Sequence, residues 1–142
     1  LEVGLTAGAG IILIPEIGFD LDDVCSKLKT YEEWGKTTTI IVAAEGIGDT
    51  SKVADYIRRN THFEVRLTIL GHVQRGGSPT ARSRLIADLF GTRAVELLLN
   101  GAKAEMVGLD GKSVISRDLE YACKVRKQID KRLHRLAEEL AV

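Results

Sequence analysis

The sequence predicts an α/β fold, a parallel-sheet three-layer sandwich with helices on both faces of the sheet. Two observations predict it. Short apolar runs rich in β-branched residues alternate with longer segments at helical spacing, in the order strand, helix, strand, helix, strand, helix. Each of the first two helical segments also opens on an aspartate suited to capping.

The elements follow in order. "GIILIPE" (10–16) is a short apolar run that stops at a proline and reads as a buried strand. In "FDLDDVCSKLKTYEEWGK", Asp20 or Asp22 can cap a helix, and Leu21, Val24, Cys25 and Leu28 share a helical face. "TTTIIVAAEG" (37–46) reads as a second strand, ending at Glu45-Gly46. "DTSKVADYIRRN" reads as a helix with Asp49 as its N-cap. "HFEVRLTILG" reads as a third strand, with Phe63, Val65, Leu67 and Ile69 on one face.

"PTARSRLIADLFGTRAVELLLNG" follows as a helix. Ser78 is its expected N-cap, Pro79 lies in its first turn, and Gly91 is a possible break. Its apolar residues include Leu85, Leu89, Ala94, Val95, Leu98 and Leu99. "AEMVGLDGKSVIS" is a hairpin signal with Asp110-Gly111 at the turn. The last helix, roughly 118–140, is expected to pack Val125, Ile129, Leu133, Leu136 and Leu140 inward. Its wet face would carry Lys124, Arg126, Lys127, Lys131, Arg132 and Arg135.

Composition narrows the function. Twenty basic and twenty acidic side chains cancel. That argues against nucleic acid or an anionic membrane surface as partner, since both select a basic excess. No apolar run approaches the ~20 residues of a membrane span. Cys25 and Cys123 have no metal-ligand spacing and read as free thiols of a reducing compartment, so a cytoplasmic location is expected. No metal site is read in this chain. The chain opens on "LEVGLTAGAG" without a methionine, which reads as starting in the middle of a longer protein.

The stretch that carries chemistry is "LGHVQRGGSPTARSR" (70–84), at the end of the third expected strand. Ligands of parallel sheets sit at the carboxyl ends of the strands. Arg66, His72 and Arg75 supply donors for a phosphate. Gly76-Gly77 let a backbone approach a ligand. Glu45, at the end of the second strand, is an acceptor for sugar hydroxyls. A carboxylate and several cations around one crevice suit a phosphorylated polyol. The same residues also fit a solvated surface turn leading into a helix, and spacing alone leaves both readings open. Ser78 has no histidine and carboxylate arranged to make it a nucleophile.

"GHVQRGGSPTA" resembles the signature of the 6-phosphofructokinase family. "ILIPE", "IIVAAEGIG", "GTRAVELLLNG" and the Ile129-Asp130 spacing in "KQIDKRLHRLAEEL" resemble the same family in the same order. The resemblance implies the C-terminal part of the two-domain phosphofructokinase fold. It implies an enzyme that phosphorylates fructose 6-phosphate with ATP in glycolysis, working as a homotetramer. By motif, Glu45 matches the carboxylate that binds sugar hydroxyls. Arg66 matches the arginine that reaches the 6-phosphate across a subunit interface, and His72 and Arg75 match the 6-phosphate ligands of the same subunit. Residues 1–73 and 125–142 would belong to the sugar-phosphate half, and 74–124 would complete the nucleotide half.

The "GGD", "TIDND" and "MGR" segments of the family are missing from these residues. No catalytic residue is therefore expected here. Magnesium and ATP would be held mainly by the missing part, with no cofactor bound by this chain alone, and the chain alone is expected to be inactive. A pyrophosphate-dependent relative shares the motif, and a non-catalytic sugar-phosphate-binding module is the remaining alternative. Regulated bacterial members carry "GGAE" before "ILIPE" and an arginine before the "GK" pair. Here "AGAG" places Gly8 and Gly10 in that stretch, Trp34 replaces the arginine, and Lys36 is kept. These four are the expected remnant of an effector site. "TARSR" stands where the family often has "TAFDR", placing Arg82 and Ser83 without a functional reading.

Overall fold

Ile11, Ile12 and Leu13 form the strand β1, and all three side chains are buried. A strand buried on both faces needs no polar alternation, which is why the run reads as continuous apolar sequence. β1 pairs in parallel with β2 (Ile41–Ala43), in the register Ile11↔Ile41, Ile12↔Val42 and Leu13↔Ala43. A second, antiparallel pair joins β3 (Glu105–Asp110) to β4 (Ser113–Asp118). The helices in chain order are α1 (Glu2–Thr6), α2 (Leu21–Glu33), α3 (Thr50–Asn60), α4 (Ala81–Leu99), α5 (Leu119–Lys124) and α6 (Lys131–Leu140). This is an α/β fold with one small parallel and one small antiparallel sheet. The computed structural model describes residues 1–125 and 128–141. The chain divides into two units, Leu1–Ile69 with Ile129–Val142, and Leu70–Gln128.

The first unit is built around β1. Ile11 and Leu13 pack with Val24, Cys25, Leu28 and Tyr31 of α2 and Ile57 of α3. Ile12 and Ile14 point the other way, against Ala9 and Ala137, with Leu1, Leu5 and Ile129 partly buried beside them. Fully burying one such branched side chain contributes roughly 1.5–3 kcal/mol. The caps are those the aspartates predict. Asp20 accepts from the Asp22 N–H at 2.6 Å, and Asp49 accepts from the Ser51 N–H at 3.0 Å. Between α2 and α6, Lys27 Nζ donates to Glu138 Oε1 at 2.7 Å. That bond holds the Glu138 carboxyl below its ordinary value, against the opposing effect of burial.

The expected third strand is not a strand. Phe63 and Val65 pack against the core, so the alternation is real, but residues 63–70 join no ladder among the described residues. Leu67 and Ile69 are exposed rather than inward. The parallel sheet has two strands where three were expected, because apolar alternation specifies a face and not a partner.

The second unit packs α4 against the β3–β4 hairpin. The half-buried stripe of α4 is Ile86, Phe90, Ala94 and Leu97. Leu85, Leu89, Val95, Leu98 and Leu99, expected as its apolar face, are exposed. The N-cap is Thr80, which accepts from the Ser83 N–H at 3.2 Å, two residues later than the expected Ser78. Pro79 therefore precedes the helix, and Gly91 does not break it. The hairpin loop is Gly111-Lys112, since Asp110 already pairs with Ser113. Gly111 takes the positive φ of +60° that this tight loop needs.

The expected last helix is two helices, α5 and α6, each with its own aspartate cap. Asp118 accepts from the Glu120 N–H at 2.7 Å, and Asp130 from the Arg132 N–H at 2.9 Å. The Arg132 guanidinium also bonds the Asp130 carboxylate, which lowers the pKa of that carboxyl. The expected inward set is largely wrong. Val125, Leu136 and Leu140 are exposed, Ile129 and Leu133 are half-buried, and the buried residue of α6 is Ala137. Arg126 and Lys127 of the expected basic face lie outside the described residues.

Candidate functional site

Glu45 opens a single 3₁₀ turn, Glu45–Ile47, directly after β2. The Ala44 N–H donates to the Leu13 carbonyl at 2.9 Å, so the sheet register runs right up to this turn. A Cβ at Gly46 would lie 2.9 Å from Pro15 Cγ, so the turn is seated against Pro15, just past β1, and any side chain there would force a shift. Glu45 itself is exposed.

Arg66 is also exposed, its side chain 86% accessible. Its Nε donates to Glu64 Oε1 at 2.8 Å. Burial alternates along this segment: Phe63 and Val65 are half-buried, Glu64 and Arg66 exposed. The segment is tied down by α3, where Arg58 Nη2 donates to the Val65 carbonyl at 3.0 Å and Nη1 pairs with Asp55 Oδ1 at 2.7 Å.

His72 and Arg75 share one 3₁₀ segment, Gly71–Arg75, and both are exposed. The segment starts and stops on glycines in left-handed backbone, Gly71 at φ +55° and Gly76 at φ +86°. Gly77 differs. Its φ is not positive and a Cβ there would meet nothing within 4 Å, so nothing inside the chain requires glycine at that position. Of the four substrate-site candidates, Glu45 and Arg66 belong to the first unit and His72 and Arg75 to the second.

The second candidate set converges on one ring, Tyr31. The Tyr31 hydroxyl donates to the Gly10 carbonyl at 3.1 Å, and the Gly10 N–H donates to the Ile40 carbonyl at 2.9 Å. A Cβ at Gly10 would lie 2.8 Å from Thr39 Cγ2 and 3.4 Å from Tyr31 Cε2. Trp34 ends α2, with its ring centroid 5.9 Å from that of Tyr31. Lys36 Nζ lies 4.8 Å from the Tyr31 centroid and donates to the Ala141 carbonyl. Gly8 stands apart, closing α1 at φ +68° with its N–H on the Leu5 carbonyl at 3.2 Å. So three of the four candidates meet, and the lysine ammonium is already engaged by backbone.

Two residues that organise these sites were not singled out from sequence. Tyr31 sits three positions after Leu28 on the apolar stripe of α2, which is a readable signal for a buried ring. Glu64 sits two positions before Arg66 in an alternating run, which puts both on one side. A further concavity of about 120 Å³ lies between β1, α2 and α6, bordered by Val24, Lys27, His134, Ala137 and Glu138. It includes none of Glu45, Arg66, His72 and Arg75.

Among the described residues, no group of three or more His, Cys, Asp or Glu side chains is placed to hold a metal ion. Among the same residues, no helix is long and apolar enough to cross a membrane.

The comparisons with known proteins agree with one another. A family model described as "Phosphofructokinase" matches residues 1–98. The chain is 44% identical over all 142 residues to the "ATP-dependent 6-phosphofructokinase" of Bacillus cereus strain B4264. It is 43% identical, again over all 142 residues, to proteins of that name from Bacillus thuringiensis strain Al Hakam and Bacillus anthracis strain CDC 684 / NRRL 3495. The chain covers 44% of the length of each of these relatives. Identity at this level along every residue of the chain, together with the matched family model, means that the chain belongs to the phosphofructokinase family.

Proposed function

We propose that the chain is the C-terminal part of an ATP-dependent 6-phosphofructokinase and supplies residues that bind fructose 6-phosphate. Arg75 and His72 bind the 6-phosphate. Arg66 reaches the 6-phosphate of a neighbouring subunit in a homotetramer, and Glu45 accepts hydrogen bonds from the sugar hydroxyls. Residues 1–73 and 125–142 form the sugar-phosphate half, while 74–124 complete a nucleotide-binding half. The chain covers 44% of its relatives' length, and the remaining length would carry the nucleotide loops and the catalytic base.

The observation that carries this reading is the Gly71–Arg75 turn. It exposes a histidine and an arginine within one 3₁₀ segment and is followed by Gly77, whose glycine no internal contact explains. The open space at Gly77 leaves room for a ligand to approach the backbone there. Arg66 pairs with Glu64 through Nε, and the high exposure of its side chain leaves the rest of the guanidinium open to a ligand.

Phosphoryl transfer depends on positioning and on charge stabilisation. The part proposed for this chain is positioning: the phosphate is anchored at one end of the sugar and the hydroxyls at the other, which presents the far hydroxyl for phosphorylation. Magnesium with ATP would supply the donor, held mainly by residues outside this chain. The 142-residue chain alone is expected to show no turnover above a protein-free control.

The test compares two arginines in the full-length enzyme. Arg75→Ala should raise the KM for fructose 6-phosphate about 10- to 100-fold, the cost of one charge-assisted phosphate contact. Arg82→Ala, one residue into α4, should leave it within about twofold. Equal effects of the two would overturn the assignment.

A further inference from the structure

We infer that Glu64 is a positioning residue for Arg66, holding its guanidinium by the Nε edge so that the Nη end faces a phosphate. This rests on the reading of Arg66 given above.

The backbone around Arg66 is fixed from two sides. Phe63 and Val65 pack against the core of the first unit. The Val65 carbonyl accepts from Arg58, which is itself held by Asp55. The residues between and after them, Glu64 and Arg66, therefore emerge side by side from an anchored segment. Beyond its Cβ, however, the Arg66 side chain is 86% accessible. A long side chain in water spreads over many rotamers, and ordering it costs entropy when a ligand binds.

One contact limits that freedom. Nε–H donates to Glu64 Oε1 at 2.8 Å. A guanidinium carries five N–H donors, one on Nε and four on the two Nη atoms. Engaging Nε sets the plane of the fork and leaves both Nη groups for a ligand. Two parallel Nη–H donors match two phosphate oxygens. A bond through Nη1 or Nη2 would have taken up one of the four donors at that end. Which nitrogen the carboxylate takes is therefore the informative detail.

Glu64 also places a negative charge near the incoming phosphate, which opposes binding. Orientation and charge can be separated, because glutamine keeps the acceptor oxygen and drops the charge. Alanine drops both. The experiment measures steady-state kinetics of the full-length enzyme with fructose 6-phosphate for Glu64→Ala, Glu64→Gln and Arg66→Ala. Glu64 is exposed, with Arg66 as its side-chain partner, so both of its variants are expected to fold.

Glu64→Ala should raise the KM about 2- to 5-fold with kcat within twofold, the scale of one exposed ion pair. Glu64→Gln should stay at or below the wild-type KM. Glu64→Ala and Glu64→Gln shifting together, by the same factor and in the same direction, would show that charge alone acts and would overturn the inference. So would an unchanged KM in Glu64→Ala while Arg66→Ala raises it tenfold or more. If Arg66→Ala itself leaves the KM unchanged, the reading of Arg66 falls, and the role of Glu64 falls with it.

Discussion

The two units of the chain bury their apolar residues very differently. In the first, both faces of β1 are covered and the core runs through α2, α3 and the end of α6. In the second, every described residue is half-buried or exposed. The α4 stripe of Ile86, Phe90, Ala94 and Leu97 is only half-covered, and Leu85, Leu89, Val95, Leu98 and Leu99 face outward. A segment of this length normally encloses some buried side chains. The difference teaches that the first unit encloses an apolar core of its own, whereas the second leaves much of its apolar surface uncovered within this chain.

The largest effect that sharpens the contrast is a matched pair of leucines. Leu13 is 3% exposed and Leu99 is 83% exposed. Leu13→Ala should cost about 2–5 kcal/mol, the range for deleting buried methyl groups and leaving a cavity. Leu99→Ala should stay within about 0.5 kcal/mol in this chain. Urea unfolding followed by circular dichroism measures both. A Leu99→Ala loss approaching that of Leu13→Ala would mean that α4 is covered after all.

The two cysteines give a second contrast. Cys25 is buried in the core of the first unit, and Cys123 is exposed in the second. Burial pushes the Cys25 thiol up, Asp22 adds to this, and Lys29 only partly offsets it. The thiolate is the reactive form, so both access and ionisation disfavour Cys25. At neutral pH one thiol per chain should react quickly with a disulfide reagent. The second should react about 100-fold slower or more, and should catch up in denaturant. Two fast thiols in the folded chain would show that the core of the first unit opens readily.

How far the sequence could be read follows the same division. Local chemistry was legible: Asp20 and Asp49 cap the helices they precede, and β1 and β2 lie inside the predicted runs. Local competition between possible caps was less so, which is why the α4 cap fell on Thr80 and not on Ser78. Long-range choice was not legible. The run 85–99 has leucines almost all round the helix, so spacing could not select the stripe that packs. The segment 63–70 alternates as a strand should, yet pairing depends on what lies beside it. The Gly71–Arg75 turn was grouped correctly for a related reason. His72, Arg75 and the glycines are adjacent in sequence, so no long-range contact had to be guessed to group them. The Tyr31 cluster gathers residues from Gly10 to Ala141, and only the fold brings those together.

The smallest effect compares two glycines and reverses sign between the units. At Gly10, an added Cβ would lie 2.8 Å from Thr39 Cγ2, with the Tyr31 ring at 3.4 Å behind it. Neither neighbour is the far end of a flexible side chain, since a threonine methyl is set by a stiff χ1 and the Tyr31 hydroxyl is tied to the Gly10 carbonyl. Gly10→Ala should therefore destabilise by about 1–3 kcal/mol, the usual cost of overpacking. At Gly91, inside α4, an added Cβ would meet nothing within 4 Å and the backbone is helical. There the gain is alanine's helix propensity over glycine's, so Gly91→Ala should stabilise α4 by about 0.5–1 kcal/mol. Thermal unfolding of both variants decides it, and the signs matter more than the sizes. Should Gly91→Ala destabilise in the full-length enzyme but stabilise the isolated chain, the outward side of α4 would be shown to lie against protein that this chain does not contain.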